Sequence, residues 1–233
     1  MGGRRKETGT KRDYGMTAYS LLIEKIQKGK NPYEGFPVDK WRGVWYGDPG
    51  AQRNLIDQSI ANLRPSLIIE VGSFVGESAI HMAKQIKIQS LDCAILCVDT
   101  WCAGFDHHVG APEKLNMHFG RSDLFYRFMA NVIEHNCQDV IVPFAMDSIG
   151  AARVIKWLGL VPTLIYVDAS HEKGDVIRDY DAYWDLLPKG GGMLVDDLTA
   201  HFPGVIHDWN EFLVKNELTA TTVEGEKGLV IKP

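Results

Sequence analysis

Six carboxylates stand at or just beyond the ends of short apolar runs: Glu70, Asp99, Asp147, Asp168 and the adjacent pair Asp196 and Asp197. Two stretches concentrate this chemistry, Val167-Asp-Ala-Ser-His-Glu-Lys-Gly-Asp175 and Leu194-Val-Asp-Asp-Leu198. If the runs before them are neighbouring strands, about 4.8 Å apart, Asp168, Asp196 and Asp197 converge on one small volume. Three carboxylates cannot stay ionised together cheaply without a cation. A hard divalent ion such as Mg²⁺ meets that need and keeps places for water or substrate oxygens. His171 follows Asp168 by three positions, where an imidazole can take the proton of a hydroxyl held beside the ion. The bland alternatives are that single Asp residues cap helices or orient a cofactor amine, and that His171 is an ordinary loop histidine.

A second site is written in Glu70-Val-Gly-Ser-Phe-Val-Gly76, which runs from an apolar stretch straight into a helical one. Gly72 and Gly76 let the backbone turn sharply and approach a ligand, with a helix amino end behind. Asp99 closes the next apolar run about 25 residues on, where adenosine sites keep an acceptor for ribose hydroxyls. A dinucleotide fingerprint needs a middle glycine, and Phe74 occupies that place. The turn holds no Lys or Arg for a phosphate and opens on a carboxylate, which suits a ligand carrying a cationic sulfonium and an amino group.

The elements that must position these residues alternate regularly. Apolar runs Ser66–Val71, Ala94–Val98, Val140–Phe144, Thr163–Val167 and Met193–Val195 are continuous, as parallel strands covered on both faces require. Helical spacing fills Glu77–Ile86, Arg121–Asn136, Ser148–Leu158 and Asp175–Leu187 between them, then Val205–Val214. Thr221–Val223 and Gly228–Ile231 close the pattern as an antiparallel pair. The expected fold is α/β: a Rossmann-like, doubly wound, mostly parallel seven-stranded sheet with an antiparallel C-terminal strand and helices on both faces. Residues 65–233 form this domain. Residues 17–64 form an N-terminal helical cover with helices near Tyr19–Lys28 and Gln52–Leu63, and 1–16 a flexible basic tail.

Composition narrows the functional classes. The 233 residues carry a formal net charge of −5 and 45% hydrophobic residues, so a general nucleic-acid binder with a basic face is not expected. The start of the chain lacks the apolar run of a signal peptide or membrane span, and Cys93, Cys97, Cys102 and Cys137 show no paired zinc spacing. A cytoplasmic protein with reduced thiols and no membrane partner is the reading. The aromatic-rich segment 31–50 can be packed cover, a lid or a dimer arm, which leaves homo-oligomerisation open. His107, His108 and His118, with Trp101, Phe105 and Phe119, fall in a long segment suited to covering a substrate.

Glu-Val-Gly-Ser-Phe-Val-Gly followed by Val-Asp-Thr-Trp resembles motifs I and II of class I S-adenosylmethionine-dependent methyltransferases. The resemblance implies that Gly72, Ser73 and Gly76 line the methionine part, with Glu70 nearby, and that Asp99 and Thr100 border the ribose. It puts Trp101 along the adenine, with Asp147 and Ser148 near the adenine amino group. Val-Asp-Ala-Ser-His, a helix ending in Leu-Leu-Pro-Lys-Gly-Gly and a strand ending in Asp-Asp are similar to metal-dependent O-methyltransferases. The type is that acting on sugars of macrolide and aminocoumarin antibiotics, with cephalosporin-hydroxylase-like relatives. It implies metal carboxylates at Asp168, Asp196 and Asp197, with His171 as base. The catechol type has Asn and Lys where this chain has Asp197 and His171. Ser170 replaces a second acidic residue that some members carry, which leaves the proton to His171. The resemblance spans about 67–198 and implies a small hydroxylated acceptor. Metal-free methyl transfer, a nicotinamide-dependent dehydrogenase and a non-catalytic binding module are the competing readings.

Overall fold

The computed structural model describes residues 15–41, 53–110, 115–219 and 221–233. Most of the expected basic tail, and residues 42–50 of the aromatic-rich segment, lie outside the described residues.

Five adjacent parallel strands form most of a seven-stranded sheet: β1 (Leu67–Val71), β2 (Ala94–Asp99), β5 (Ile141–Ala145), β6 (Leu164–Val167) and β7 (Gly192–Val195). With β8 (Thr221–Glu224) and β9 (Lys227–Ile231) the order is β5-β2-β1-β6-β7-β9-β8. β9 runs antiparallel to both β7 and β8. Chain order runs outward from β1 both ways, through β2 and β5 on one side and β6 and β7 on the other, which opens a crevice at the carboxyl ends of β1, β2 and β6.

Apolar residues alternate between two cores. Ile69, Leu96 and Ile165 face one side and pack with Leu22, Ile155, Tyr180, Tyr183 and Phe212. These come from α1 (Ala18–Gln27), α6 (Ser148–Trp157), α7 (Val176–Trp184) and α8 (Pro203–Lys215). Ile68, Ile95 and Leu164 face the other side, against Ile56, Ile80, Met82 and Phe128. Those belong to α2 (Asn54–Leu63), α3 (Glu77–Ile88) and α5 (Leu124–Glu134). Burial on both faces is why the strands read as unbroken apolar runs.

Strand ends agree with the sequence reading to within a residue or two. The helix expected from Arg121 starts later, because Met117–His118 (β3) and Arg121–Ser122 (β4) pair as a small hairpin. Phe119 and Gly120 turn it with φ of 51° and 79°, the left-handed pair that a two-residue hairpin loop demands. A short helix, α4 (Phe105–Val109), precedes it. No helix among the described residues is long and apolar enough to cross a membrane.

Candidate active site

β1 ends in the turn that brings the chain closest to itself. Gly72 donates its N–H to the Val98 carbonyl (2.9 Å) and holds φ at 85°. A Cβ there would lie 1.9 Å from the Asp168 carbonyl oxygen, so only glycine lets β1 and β6 deliver their loops side by side. Beneath the turn, Glu70 is fully buried and accepts from the hydroxyls of Ser73 (2.5 Å) and Ser78 (2.6 Å). Burial pushes its carboxyl up to about 6, against the lowering effect of those hydroxyls. An acid whose pKa is raised in the folded state binds its proton more tightly there. Its stabilising effect is therefore full below the ordinary value near 4.5 and is lost as pH rises towards 6. Glu70→Gln removes that titration, so its stability relative to wild type should improve by about 2 kcal/mol between pH 4.5 and 7. Urea unfolding at the two pH values checks this; a pH-independent difference would contradict it.

Asp99 ties the turn to the next loop. One carboxylate oxygen accepts from the Ser73 and Phe74 N–H groups (2.9 and 2.8 Å), the other from Trp101 (2.6 Å). Phe74 and Trp101 take positive φ (43° and 49°), as do Ala103 (68°) and Asp197 (62°). Non-glycine residues held in this region mark loops whose surroundings over-determine them.

These loops enclose a cavity of about 240 Å³ at the carboxyl edge of the sheet. Gly72, Phe74, Asp99, Thr100, His107 and Ser148 line one part; Asp168, Ser170 and His171 line another. Asp99, Asp168, Glu172 and Asp179 make the wall acidic, and no Lys or Arg among the described residues lines it. Phe74 stacks on His107, with centroids 4.5 Å apart.

At the other end His171 Nε2 lies 2.8 Å from an oxygen of Asp197, and its ring stacks on Phe202 at 3.9 Å. α8 starts close against this loop: a Cβ on Gly204 would lie 2.5 Å from the His171 carbonyl. Asp168, His171 and Asp197 each bring a ligand atom within 4.8 Å of the others. Burial, then the charges of Asp196 and Asp197, pushes the Asp168 carboxyl well above the usual range. Asp196 faces different partners: Lys227 Nζ is 2.6 Å from both its oxygens, Tyr166 donates its hydroxyl, and the Asp197 N–H donates at 2.9 Å.

The structure thus gathers Gly72, Asp99, Thr100, Ser148, Asp168 and His171 at one cavity, with Asp197 behind His171. Other residues singled out in the sequence sit elsewhere. Trp101 is buried among Phe125 and Phe128, its indole N–H on the Phe74 carbonyl. Asp147 caps α6 by accepting from Gly150 N–H (2.7 Å). Glu70 and Gly76 shape the turn from below and behind. Sequence reasoning missed Lys227 and Asp179. Asp179 on α7 lines the cavity, accepts from Ser148 Oγ (2.5 Å), and has its carboxyl pushed up to about 6 by burial.

A sequence family described as a methyltransferase domain matches residues 69–198, more than half of the chain. The chain belongs to this methyltransferase family. No protein of curated function matches it. The methyltransferase shares its fold with solved O-methyltransferases at low identity. TomG from Streptomyces achromogenes, involved in tomaymycin synthesis and solved with S-adenosylmethionine, is 14% identical with a TM-score of 0.52; the match covers 93% of this chain and 90% of that one. An O-methyltransferase from Bacillus cereus, solved with S-adenosylhomocysteine, is 14% identical with a TM-score of 0.55, covering 93% and 98%. CalS11, described as a TDP-rhamnose 3′-O-methyltransferase of calicheamicin biosynthesis, is 16% identical with a TM-score of 0.53, covering 92% of each chain. The class I methyltransferase fold read from the sequence is the fold observed.

Proposed function

We propose that this methyltransferase moves the methyl group of S-adenosylmethionine to a hydroxyl oxygen of a small molecule, a sugar, polyketide or similar metabolite, with Mg²⁺ or another divalent cation and His171 as base. One observation carries the reading: Asp168 and His171 open onto the same cavity as the Gly72 turn, Asp99 and Ser148. A cofactor bound against the turn would hold its methyl beside them. The acidic lining, with no Lys or Arg among the described residues, favours a sulfonium over a dinucleotide with its phosphates. The sugar and antibiotic-pathway chemistry named for CalS11 and TomG supports the acceptor class.

The closeness of carboxylate oxygens on Asp168 and Asp197, with His171 beside them, suits a hard divalent ion held by oxygen donors. Asp168 and Asp197 would hold it, and bound there it supplies positive charge that acidifies a neighbouring hydroxyl. Asp197 orients the His171 imidazole, which equips His171 to take the hydroxyl proton. Phe202 fixes the ring plane. The Gly72 turn and Asp99 hold the cofactor so that oxygen, methyl and sulfur line up, and much of the rate comes from that alignment.

Calorimetric titration with S-adenosylhomocysteine, with and without Mg²⁺ and with NAD as control, tests the cofactor. Micromolar binding of the homocysteine product but not NAD is the expected result. NAD binding, or no binding by a folded sample, would sink the reading.

A further inference from the structure

Asp196 and Asp197 are adjacent in sequence, yet the fold treats them differently. Asp197 takes a positive φ and turns to His171, while Asp196 faces the start of β9. Each Asp196 oxygen there meets two donors. One has Lys227 Nζ at 2.6 Å and the Asp197 N–H at 2.9 Å. The other has Lys227 Nζ at 2.6 Å and the Tyr166 hydroxyl. A carboxylate offers about four lone-pair sites, so these contacts fill it. Lys227 is itself buried, its side chain 10% exposed. Such an ammonium is far more than a loose surface partner, because removing either member would strand a charge in the interior.

We infer that Lys227 is a tethered counter-cation that takes Asp196 out of the ligand set of the divalent ion and leaves that ion to Asp168 and Asp197. The inference rests on the metal-assisted reading above. Lys227 is a positioning residue: its ammonium cancels one of three clustered carboxylates, so the remaining two match the charge of a single divalent ion. Its delivery depends on the β8–β9 hairpin. Because β9 runs against β7, pairing Val195 with Gly228, its first residue arrives at the carboxyl edge of the sheet. Lys227 therefore lies outside the segment that matches the family, 69–198.

The test is Mn²⁺ binding to the full chain, followed by electron paramagnetic resonance of the free ion, which needs no turnover. The charge-balanced double variant Asp196→Asn/Lys227→Met should bind Mn²⁺ within threefold of wild type, whereas Asp197→Asn should lose at least a hundredfold. Lys227→Met alone, with Asp196 released, should bind at least tenfold tighter, and Lys227→Arg should stay within threefold of wild type. S-adenosylhomocysteine affinity and thermal unfolding report that each variant is folded. A large loss in the double variant would make Asp196 a ligand and overturn the inference. If that variant does not fold, equal affinity of the Lys227→Met and Lys227→Arg variants overturns it instead. Should wild type bind no Mn²⁺ while Lys227→Met does, the counter-cation role stands and the metal-assisted reading falls. Absence of binding in both removes the two together.

Discussion

His171→Gln should lower kcat by two to four orders of magnitude while S-adenosylhomocysteine affinity stays within about threefold of wild type. The range is that of a positioned general base. Glutamine can still donate to Asp197 from nearly the place of Nε2, 2.8 Å from that carboxylate, and can still cover Phe202. It cannot accept a proton near neutral pH. Steady-state rates with any accepted hydroxyl substrate, paired with calorimetry, separate the two quantities. A variant that keeps kcat within threefold would remove His171 from the chemistry. Parallel loss of cofactor affinity would make it a structural residue of the cavity wall.

How much of this was legible beforehand differs by residue. Gly72, Asp168 and His171 could be read because they come just after strand ends, Gly72 after β1 and the other two after β6. A parallel sheet puts all such ends on one edge whatever the strand order. Trp101 could not: its place in the chain suits the cavity, but a left-handed backbone turns its ring into the core beside Phe128. Asp147 offered two readings, and its side chain takes the helix-cap geometry. Asp179 was hidden inside the helical stretch Asp175–Leu187, whose spacing marks its apolar positions and not its acidic ones. Lys227 was hidden more deeply. Its partner is 31 residues away, and nothing local in a hairpin strand marks one lysine as buried. Long-range charge pairing depends on topology, which local spacing does not carry.

Gly72→Ala should cost about 4 kcal/mol or more, one of the largest effects available to a single methyl group. Two penalties combine at this position. The φ of 85° is unfavourable for any side chain, and the new Cβ would lie 1.9 Å from the Asp168 carbonyl oxygen, 2.5 Å from its carbon and 2.6 Å from Ala169 Cα. These are backbone atoms of the neighbouring loop, so no rotamer change relieves the contact, and β1 and β6 must move apart where they carry the site. Gly159→Ala is the control, since it shares a positive φ (64°) but meets nothing within 4 Å. It should cost only about 1–2 kcal/mol of backbone strain. At about 2–4 °C per kcal/mol for a chain of this size, Gly72→Ala should melt roughly 10 °C or more below wild type, or fail to accumulate folded. Calorimetric melting points that coincide for the two variants would show that the close approach is not rigid. Cofactor affinity should fall with Gly72→Ala alone.

The place of β9 at the end of the chain also sets the order in which the charged partners are made. A chain emerging from its amino end makes Asp168, His171 and both aspartates of the pair before it makes the lysine that balances one of them. Until the hairpin zips onto β7, Asp196 must stay in water or hold a proton, and β7 has only one paired edge. One hairpin thus supplies both the partner of that carboxylate and the second neighbour of β7, and so latches this edge of the sheet. The portion that sequence comparison recognises holds the aspartates and the histidine, but it cannot complete itself.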